Sequence, residues 1–521
     1  MRGALYNDGY WHDAFDLMRT HQRFELNDAI TYAAKNTLAP DGNTVDEHNK
    51  SVAKKINDGT TARTTNLQSD ILRRLLQKIT SVNFQKEADL DDDKKPTKQQ
   101  LHVIVINKIL ECARKYNWGL CRNYDFIYVY NAEYWQLIDE DVIKTFLGEA
   151  AVRMGIDSLS ALHFKFKEDL LKQFLSSAHL PKPEQSKDTV LINLKNGTFE
   201  ITPEGIKLRP FNPSDFLTYQ LPFEHNAAVR APIFEKYLDR VLHDKTLQNI
   251  LSEYLGYVFI PHLKLEQALL LYGSGANGKS VFYEITRRLL GEQNISEYSL
   301  QSLTDGYGYH RAMIANKLLN YASEINGKLE AAIFKQLVSG EPVEARLPYG
   351  NPHIISGYAK LMFNCNELPM NVEHTEAFFR RFLIIPFNVT IHESERDPQL
   401  AKKINDTELS GVFNWVLEGL KRLLAQNAFT QSNTVGKMRE QYKKDSDSVA
   451  LFLDEAGYQS DVDNWIALKI VFNEYKEYCR DYGYRCVSYK SFQKRMEKLR
   501  ILLDKKNCGL VALVNKIIEN V

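Results

Sequence analysis

The sequence predicts a multidomain α/β protein built on a phosphate-binding core, and three observations carry that prediction. An apolar run, Ala268 to Tyr272, leads into Gly273-Ser274-Gly275-Ala276-Asn277-Gly278-Lys279-Ser280, and a helical pattern follows from Val281 to Leu290. Strand, glycine loop and helix in that order form a nucleotide cradle. Two more strand-like runs follow, Lys317 to Glu324 and Lys360 to Asn366, each ending in a polar residue. Helical and α+β patterns precede this core and a small helical segment trails it, in a chain of 521 residues that is long enough for roughly three or four domains.

Composition narrows the class. With 44% hydrophobic and 25% charged residues the chain is ordinary globular material. Its 66 basic residues balance 66 acidic ones, so any nucleic-acid surface must be a local patch. The six cysteines form no C-x-x-C pair and sit beside no His at zinc spacing, which argues against a zinc ribbon or a disulfide framework. No apolar run approaches 18 residues and the start is polar, so neither a membrane span nor a signal peptide is expected, and a cytoplasmic location in a bacterium or a virus-infected cell is.

Residues 1 to about 85 read as helical, most clearly from Leu67 to Thr80, where Leu67, Ile71, Leu75 and Ile79 repeat at helical spacing. The charged run from Lys86 to Lys98 reads as a linker. A hairpin is expected around Asn131-Ala132-Glu133, and a second from Thr189 to Ile201 with Asn196-Gly197 as its turn. Helices are expected from Ile233 to Leu242 and from Leu247 to Val258, and Phe413, Val416, Leu417, Leu420, Leu423 and Leu424 mark an apolar helix face beyond the core. Near the C-terminus Ser488 can cap a helix that carries Lys490, Lys494 and Lys498 on one face. Between Arg485 and Lys506 eight basic residues face two acidic ones, which suits a recognition helix on DNA or, in the plainer reading, a solvated basic face. The resulting domains are 1–98 (helical accessory domain and charged linker), 99–225 (α+β), 226–262 (helical collar), 263–390 (P-loop core), 391–445 (helical lid) and 446–521 (basic helical domain).

The chemistry follows from residue type and spacing. Glycines 273, 275 and 278 let backbone N–H groups turn inward, Lys279 reaches the β- and γ-phosphates, and the Ser280 hydroxyl can ligate Mg²⁺. Hydrolysis also needs a carboxylate at the end of a neighbouring strand, and Glu324, 45 residues after Lys279, is the candidate base and second metal-site residue. Asn366 ends the third strand and could sense the γ-phosphate or orient water. Arg381, in Phe378-Phe379-Arg380-Arg381-Phe382, could be delivered to the nucleotide of a neighbouring subunit.

This ordered set, with Val338 to Arg346 between the strands and Arg-Arg-Phe before Ile385-Pro386-Phe387, resembles the superfamily 3 helicases, more narrowly the phage/plasmid and poxvirus primase-helicase family. Leu191 to Phe199 and Leu221 to Gly256 resemble that family's helicase-associated N-terminal domain, and the C-terminus resembles its winged helix. The resemblance implies an AAA+-like ATPase core in a hexameric ring, with ATP and Mg²⁺ bound between subunits. It implies translocation on single-stranded and forked DNA, 3′ to 5′, in replication of a phage, plasmid or integrated element, alongside a primase or other replication proteins. Gly273, Gly278, Lys279 and Ser280 carry over as Walker A, Glu324 as the Walker B acid, Asn366 as sensor and Arg381 as finger. The family's channel hairpin falls on Arg346 to His353, where Arg346, Tyr349 and His353 must hold DNA because the tip has no lysine. Ser323 stands where the family usually has a first Walker B acid.

No apolar-Asp-x-Asp-apolar strand precedes residue 260, so primase activity is not expected. Two other readings remain open at this point. One is a replication initiator or helicase loader that assembles on DNA without processive unwinding, and the other is a nucleic-acid-dependent ATPase in a defence system.

Overall fold

The computed structural model describes residues 4–7, 10–13, 62–91, 93–123, 126–180, 189–202, 204–323, 325, 329–347, 352–369 and 372–517. The chain divides into two compact units, residues 1–182 and 183–521.

In the first unit β1 (Ala4–Asn7) and β2 (Tyr10–Asp13) pair antiparallel, with Asn7 opposite Tyr10. Helix was expected there. The local residues decide otherwise, because Leu5-Tyr6 and Tyr10-Trp11 favour strands. Next come α1 (Ala62–Lys78) and α2 (Lys98–Lys115), the latter opened by a Thr97/Gln100 capping box. Strands β3 (Leu120–Asn123), β4 (Phe126–Tyr130) and β5 (Trp135–Ile138) form an antiparallel meander, its second turn held by the Asn131 side chain. Helices α3 (Glu140–Met154) and α4 (Phe164–Ser177) complete the unit.

One core joins Ile71, Leu75 and Ile79 to Val105, Ile109, Phe146, Leu147, Leu170 and Phe174. The charged run 86–98 therefore connects two parts of one core rather than closing a separate domain at residue 98. The amphipathic face of α1 has to be covered, and the following helices cover it.

The second unit opens with the antiparallel sheet β6 (Val190–Leu194), β7 (Gly197–Thr202) and β8 (Gly205–Arg209), followed by α5 (Pro232–Val241) and α6 (Lys245–Tyr257). Ile192, Leu194, Phe199 and Ile201 share a core with residues of these helices and with the central sheet, so the unit boundary falls inside the expected segment 99–225.

The central sheet holds five parallel strands. They are β9 (Ala268–Tyr272), β10 (Ile295–Ser296), β11 (Leu319–Ala322), β14 (Lys360–Cys365) and β15 (Phe382–Pro386), in the order β10-β11-β14-β9-β15. Helix α7 (Lys279–Leu290) follows β9, and α8 (Ala331–Val338) precedes the hairpin β12 (Val343–Ala345) and β13 (His353–Ile355). Leu269 and Leu271 enter the core on one face, Ala268 and Leu270 that on the other. Burial on both faces explains why these strands read as unbroken apolar runs.

Beyond the sheet lie α9 (Leu400–Thr407), α10 (Leu409–Gln426) and α11 (Asn433–Asp445). The buried stripe of α10 is Val412, Phe413, Val416, Leu417, Leu420 and Leu423, while Leu424 is exposed. Helices α6 and α10 pack backbone to backbone, and a Cβ on Gly419 would sit 2.3 Å from the Ser252 carbonyl carbon. The fully buried Glu253 of α6 binds the Arg422 guanidinium at 3.2 Å and accepts the Thr430 N–H at 2.8 Å. Glu408 caps α5 from a distance, accepting the N–H groups of Ile233 and Phe234 at 3.0 and 2.9 Å.

The chain ends in α12 (Ser448–Glu455), β16 (Tyr458–Ser460), β17 (Ile466–Ala467), α13 (Leu468–Asp481), α14 (Tyr489–Lys498) and the strands β18 (Leu503–Lys506), β19 (Gly509–Ala512) and β20 (Val514–Lys516). They enclose a core of their own. No helix among the described residues is long and apolar enough to cross a membrane.

Two glycine substitutions separate packing from propensity. Gly419→Ala is expected to destabilise the protein by about 1–3 kcal/mol through overpacking. Gly436→Ala, on α11 with open space where the methyl would go, is expected to stabilise it by about 0.4–1 kcal/mol. Urea unfolding of the two variants beside wild type checks both signs.

Candidate nucleotide-binding site

The glycine loop lies where chain geometry leaves little choice of residue. A Cβ on Gly273 would meet the Phe387 carbonyl oxygen and the Asn277 amide nitrogen, each at 2.4 Å. Gly278 has φ +90 and its Cβ would strike Val241 of α5 at 2.7 Å. The loop is braced on three sides. Asn277 Nδ2 donates to the Phe387 carbonyl at 3.0 Å, the Ile391 N–H donates to the Ala276 carbonyl at 2.8 Å, and the Tyr237 hydroxyl donates to the Gly278 carbonyl at 2.8 Å. Burial pushes the Tyr237 pKa far up, which keeps that hydroxyl a donor.

Lys279 opens α7 with its side chain buried. Its Nζ donates to the Gly273 carbonyl at 2.6 Å, to Asn277 Oδ1 at 3.2 Å and to Asn366 Oδ1 at 3.3 Å, so the lysine and the expected sensor meet at one point. Burial lowers the Lys279 pKa. No side chain caps the N-terminus of α7, so that its first N–H groups stay available to a ligand. Ser280 and Ser323 are exposed in the same cleft, which measures about 480 Å³. Glu324, the residue after Ser323, lies outside the described residues.

The residues present would suit the phosphates of a nucleotide. A buried ammonium with only neutral oxygens around it, an uncapped helix N-terminus and glycines held against the backbone form an anion cradle. Among the described residues no cluster of three or more His, Cys, Asp or Glu could hold a metal by itself. A metal here would rest on Ser280, on Glu324 and on the phosphates.

Other site residues escaped the sequence reading. Tyr237 comes from α5, far upstream. Asn364, buried on β14, accepts from the Tyr321 hydroxyl at 2.9 Å and lines the cleft. Glu395, Arg396 and Asp397 form its rim, with Glu395 paired to Arg240 at 2.6 Å. The charge cluster that follows β15 was the available signal for that rim.

The arginine pair sits elsewhere. Arg380 and Arg381 precede β15, whereas the glycine loop follows β9 at the other end of the same parallel sheet, about 17 Å away along a five-residue strand. Arg381 is buried. Its guanidinium donates to the Ala377 carbonyl, to Ser339 Oγ at 3.1 Å and to Glu266 at 3.3 Å. Arg380 reaches Glu266 at 3.1 Å and its side chain is 56% exposed, which makes it the more accessible of the two.

The expected DNA-facing residues fall on two features. Arg346 and His353 flank the tip of the β12–β13 hairpin, and Tyr349 lies outside the described residues. Lys490, Lys494 and Lys498 are exposed on α14, and Ser488 caps it as expected, accepting from the Ser491 N–H. Arg495 leaves the basic patch, since its guanidinium pairs with the buried Asp447 at 3.0 Å.

Residues 108–243 match the family model described as D5 N terminal like. The candidate site lies in a second match: residues 271–381, from the end of β9 to Arg381, fit a family of unknown function, DUF5906. A protein of Acanthamoeba polyphaga mimivirus named "Putative helicase" is 25% identical over 258 residues, which is 46% of this chain and 26% of that protein. The chain thus spans about a quarter of that relative's length. Two apo structures of the NrS-1 C terminal region align over 78% and 81% of this chain and 99% and 100% of theirs, each at 12% identity, with TM-scores of 0.43 and 0.41. The D5 N terminal like match and the helicase-named relative support a primase-helicase-like kinship.

Gly273→Ala is expected to abolish binding of a fluorescent ATP analogue, because the new methyl has no room beside Phe387. Ser274→Ala, at an exposed loop position, should leave binding within about twofold. An anisotropy titration of both variants against wild type reads the difference.

Proposed function

We propose that this chain is the ATP-driven motor of a DNA helicase of the superfamily 3 type. It would assemble as a hexameric ring on single-stranded or forked DNA and serve replication of a phage, plasmid or integrated element. The observation that supports this reading most strongly is the meeting of Lys279 and Asn366, 3.3 Å apart, at the mouth of one cleft at the carboxyl ends of adjacent parallel strands. That is where a γ-phosphate would lie.

In this reading the loop N–H groups and Lys279 hold the phosphates. Lys279 exchanges the Gly273 carbonyl for phosphate oxygens, and Asn366, released from the lysine, orients the attacking water. Ser280 would hold Mg²⁺, which would supply charge neutralisation when bound, and Glu324 would take the proton of the water. The arginine pair is too far along the sheet to serve the nucleotide of its own subunit. Its service would be in trans, with Arg380 exposed for it and the sequence-assigned finger Arg381 held in place behind it. The C-terminal domain, read as a winged helix, would present Lys490, Lys494 and Lys498 to duplex phosphates. Translocation 3′ to 5′ and the absence of primase activity belong to the same proposal.

The test is strand separation of a forked duplex with ATP and Mg²⁺. Wild type should unwind it, and Lys279→Ala, Glu324→Gln and Arg380→Ala should each lose at least about a hundredfold in rate, as removal of a transition-state group does. Arg380→Ala subunits should regain turnover when mixed with Lys279→Ala subunits, which supply the missing guanidinium. ATP hydrolysis without strand separation on any fork would instead favour the initiator or loader reading.

A further inference from the structure

In the first unit the start of α2 faces α4 across a cleft of about 580 Å³, lined by Thr97, Lys98, Gln99 and His102 on one side and by Asp169 and Lys172 on the other. No motif above and no part of the motor reading uses it. The Gln100 N–H donates to Thr97 Oγ1 at 3.3 Å in the capping box, and the Leu101 N–H donates to the Thr97 carbonyl at 3.0 Å. The N–H groups of Lys98 and Gln99 are left without an intrahelical acceptor, at the positive end of an 18-residue helix. Two ammoniums join them. Lys172 is exposed and makes no ion pair among the described residues, while Lys98 lies between the Asp169 carboxylate at 3.4 Å and the face of the Phe166 ring, 5.8 Å from its centroid.

A second, independent observation comes from His102. Its side chain is only 8% exposed, and its Nε2 has no hydrogen-bond partner among the described residues. The ring is set edge-on to Phe166, with centroids 4.7 Å apart. Burial lowers the His102 pKa against the pull of Asp169, so that the imidazole is uncharged at physiological pH. A neutral imidazole carries one N–H, and on Nε2 that proton has nothing to bind. Buried polar groups are almost always partnered, and this one lies in the wall of a cleft lined by other donors.

We propose that this cleft binds a phosphate monoester, with the Lys98 and Gln99 N–H groups, the Lys172 ammonium and His102 Nε2 as its donors and Asp169 keeping Lys98 in place. Donors from two helices suit the three free oxygens of a monoester, whereas a diester offers only two. A metal ion would find one carboxylate beside two ammoniums, and no cluster of three or more His, Cys, Asp or Glu lies among the described residues. The cleft is larger than a phosphate, so the group can be carried by a mononucleotide or by the phosphorylated end of a DNA strand. The proposal concerns the first unit alone and does not depend on the motor reading.

The test is amide hydrogen exchange over residues 97–103 of the full chain, read by mass spectrometry, with thymidine 5′-monophosphate as the probe and chloride of equal ionic strength as the control. Because the readout is local, binding at the glycine loop does not enter it. The probe should slow exchange there at least about fivefold in wild type. Lys172→Ala, at an exposed position, and His102→Phe, which keeps a ring against Phe166, should each raise the half-saturating concentration at least about fivefold, as loss of a charged or buried donor does. Slowing by 5′-phosphorylated oligothymidylate at lower concentration than by the monophosphate assigns the site to a strand end, and slowing by the monophosphate alone assigns it to a small ligand; both uphold the proposal. No slowing, slowing matched by chloride or by 5′-hydroxyl oligothymidylate, or an unchanged half-saturating concentration in Lys172→Ala overturns it.

Discussion

The candidate site depends on how closely the chain at Gly273 approaches the end of β15. With no side chain there, the Phe387 carbonyl and the Asn277 amide close over the loop, and the loop in turn fixes where α7 begins. Every feature proposed for phosphate binding is referred to that contact. The buried Lys279, the uncapped first turn and the meeting with Asn366 would all move if the two strands were held apart by a single methyl group.

A second constraint acts on the opposite side of the loop. Gly278 takes a left-handed conformation with Val241 and Tyr237 of α5 against it, so the helix before the sheet is part of the cradle. Helix α5 is itself capped by Glu408, from a segment nearly 180 residues downstream, and α6 is clamped to α10 through Glu253 and Gly419. The cradle is therefore supported by contacts that join distant parts of the chain.

The two ends of the parallel sheet are separated in chemistry as well as in space. The carboxyl ends of β9, β11 and β14 carry the polar groups around the cleft, while the start of β15 carries the arginine pair, with Glu266 shared between the two guanidiniums. Ser339, which receives Arg381, leads from α8 into the hairpin, so one buried arginine ties the start of β15 to the base of that hairpin.

Local chemistry let the sequence by itself determine much of this. The glycine loop, the strands around it, the helix after it, the Ser488 cap and the two expected hairpins followed from residue type and spacing, because phosphate cradles, turns and caps are made by neighbours in the chain, although the second hairpin turns at Lys195-Asn196, one residue before the expected Asn196-Gly197. Tertiary structure alone decided the rest. No spacing rule tells Arg381 from Arg380, since the difference is which guanidinium finds Ser339 and a buried pocket. Nor does one reveal that Arg495 turns inward to Asp447 while Lys494 beside it faces out, that Tyr237 braces a loop 41 residues away, or that α1 shares a core with the helices beyond a charged run. Those outcomes depend on which surfaces meet once the chain has folded, and contacts between distant segments leave no periodic trace in the sequence.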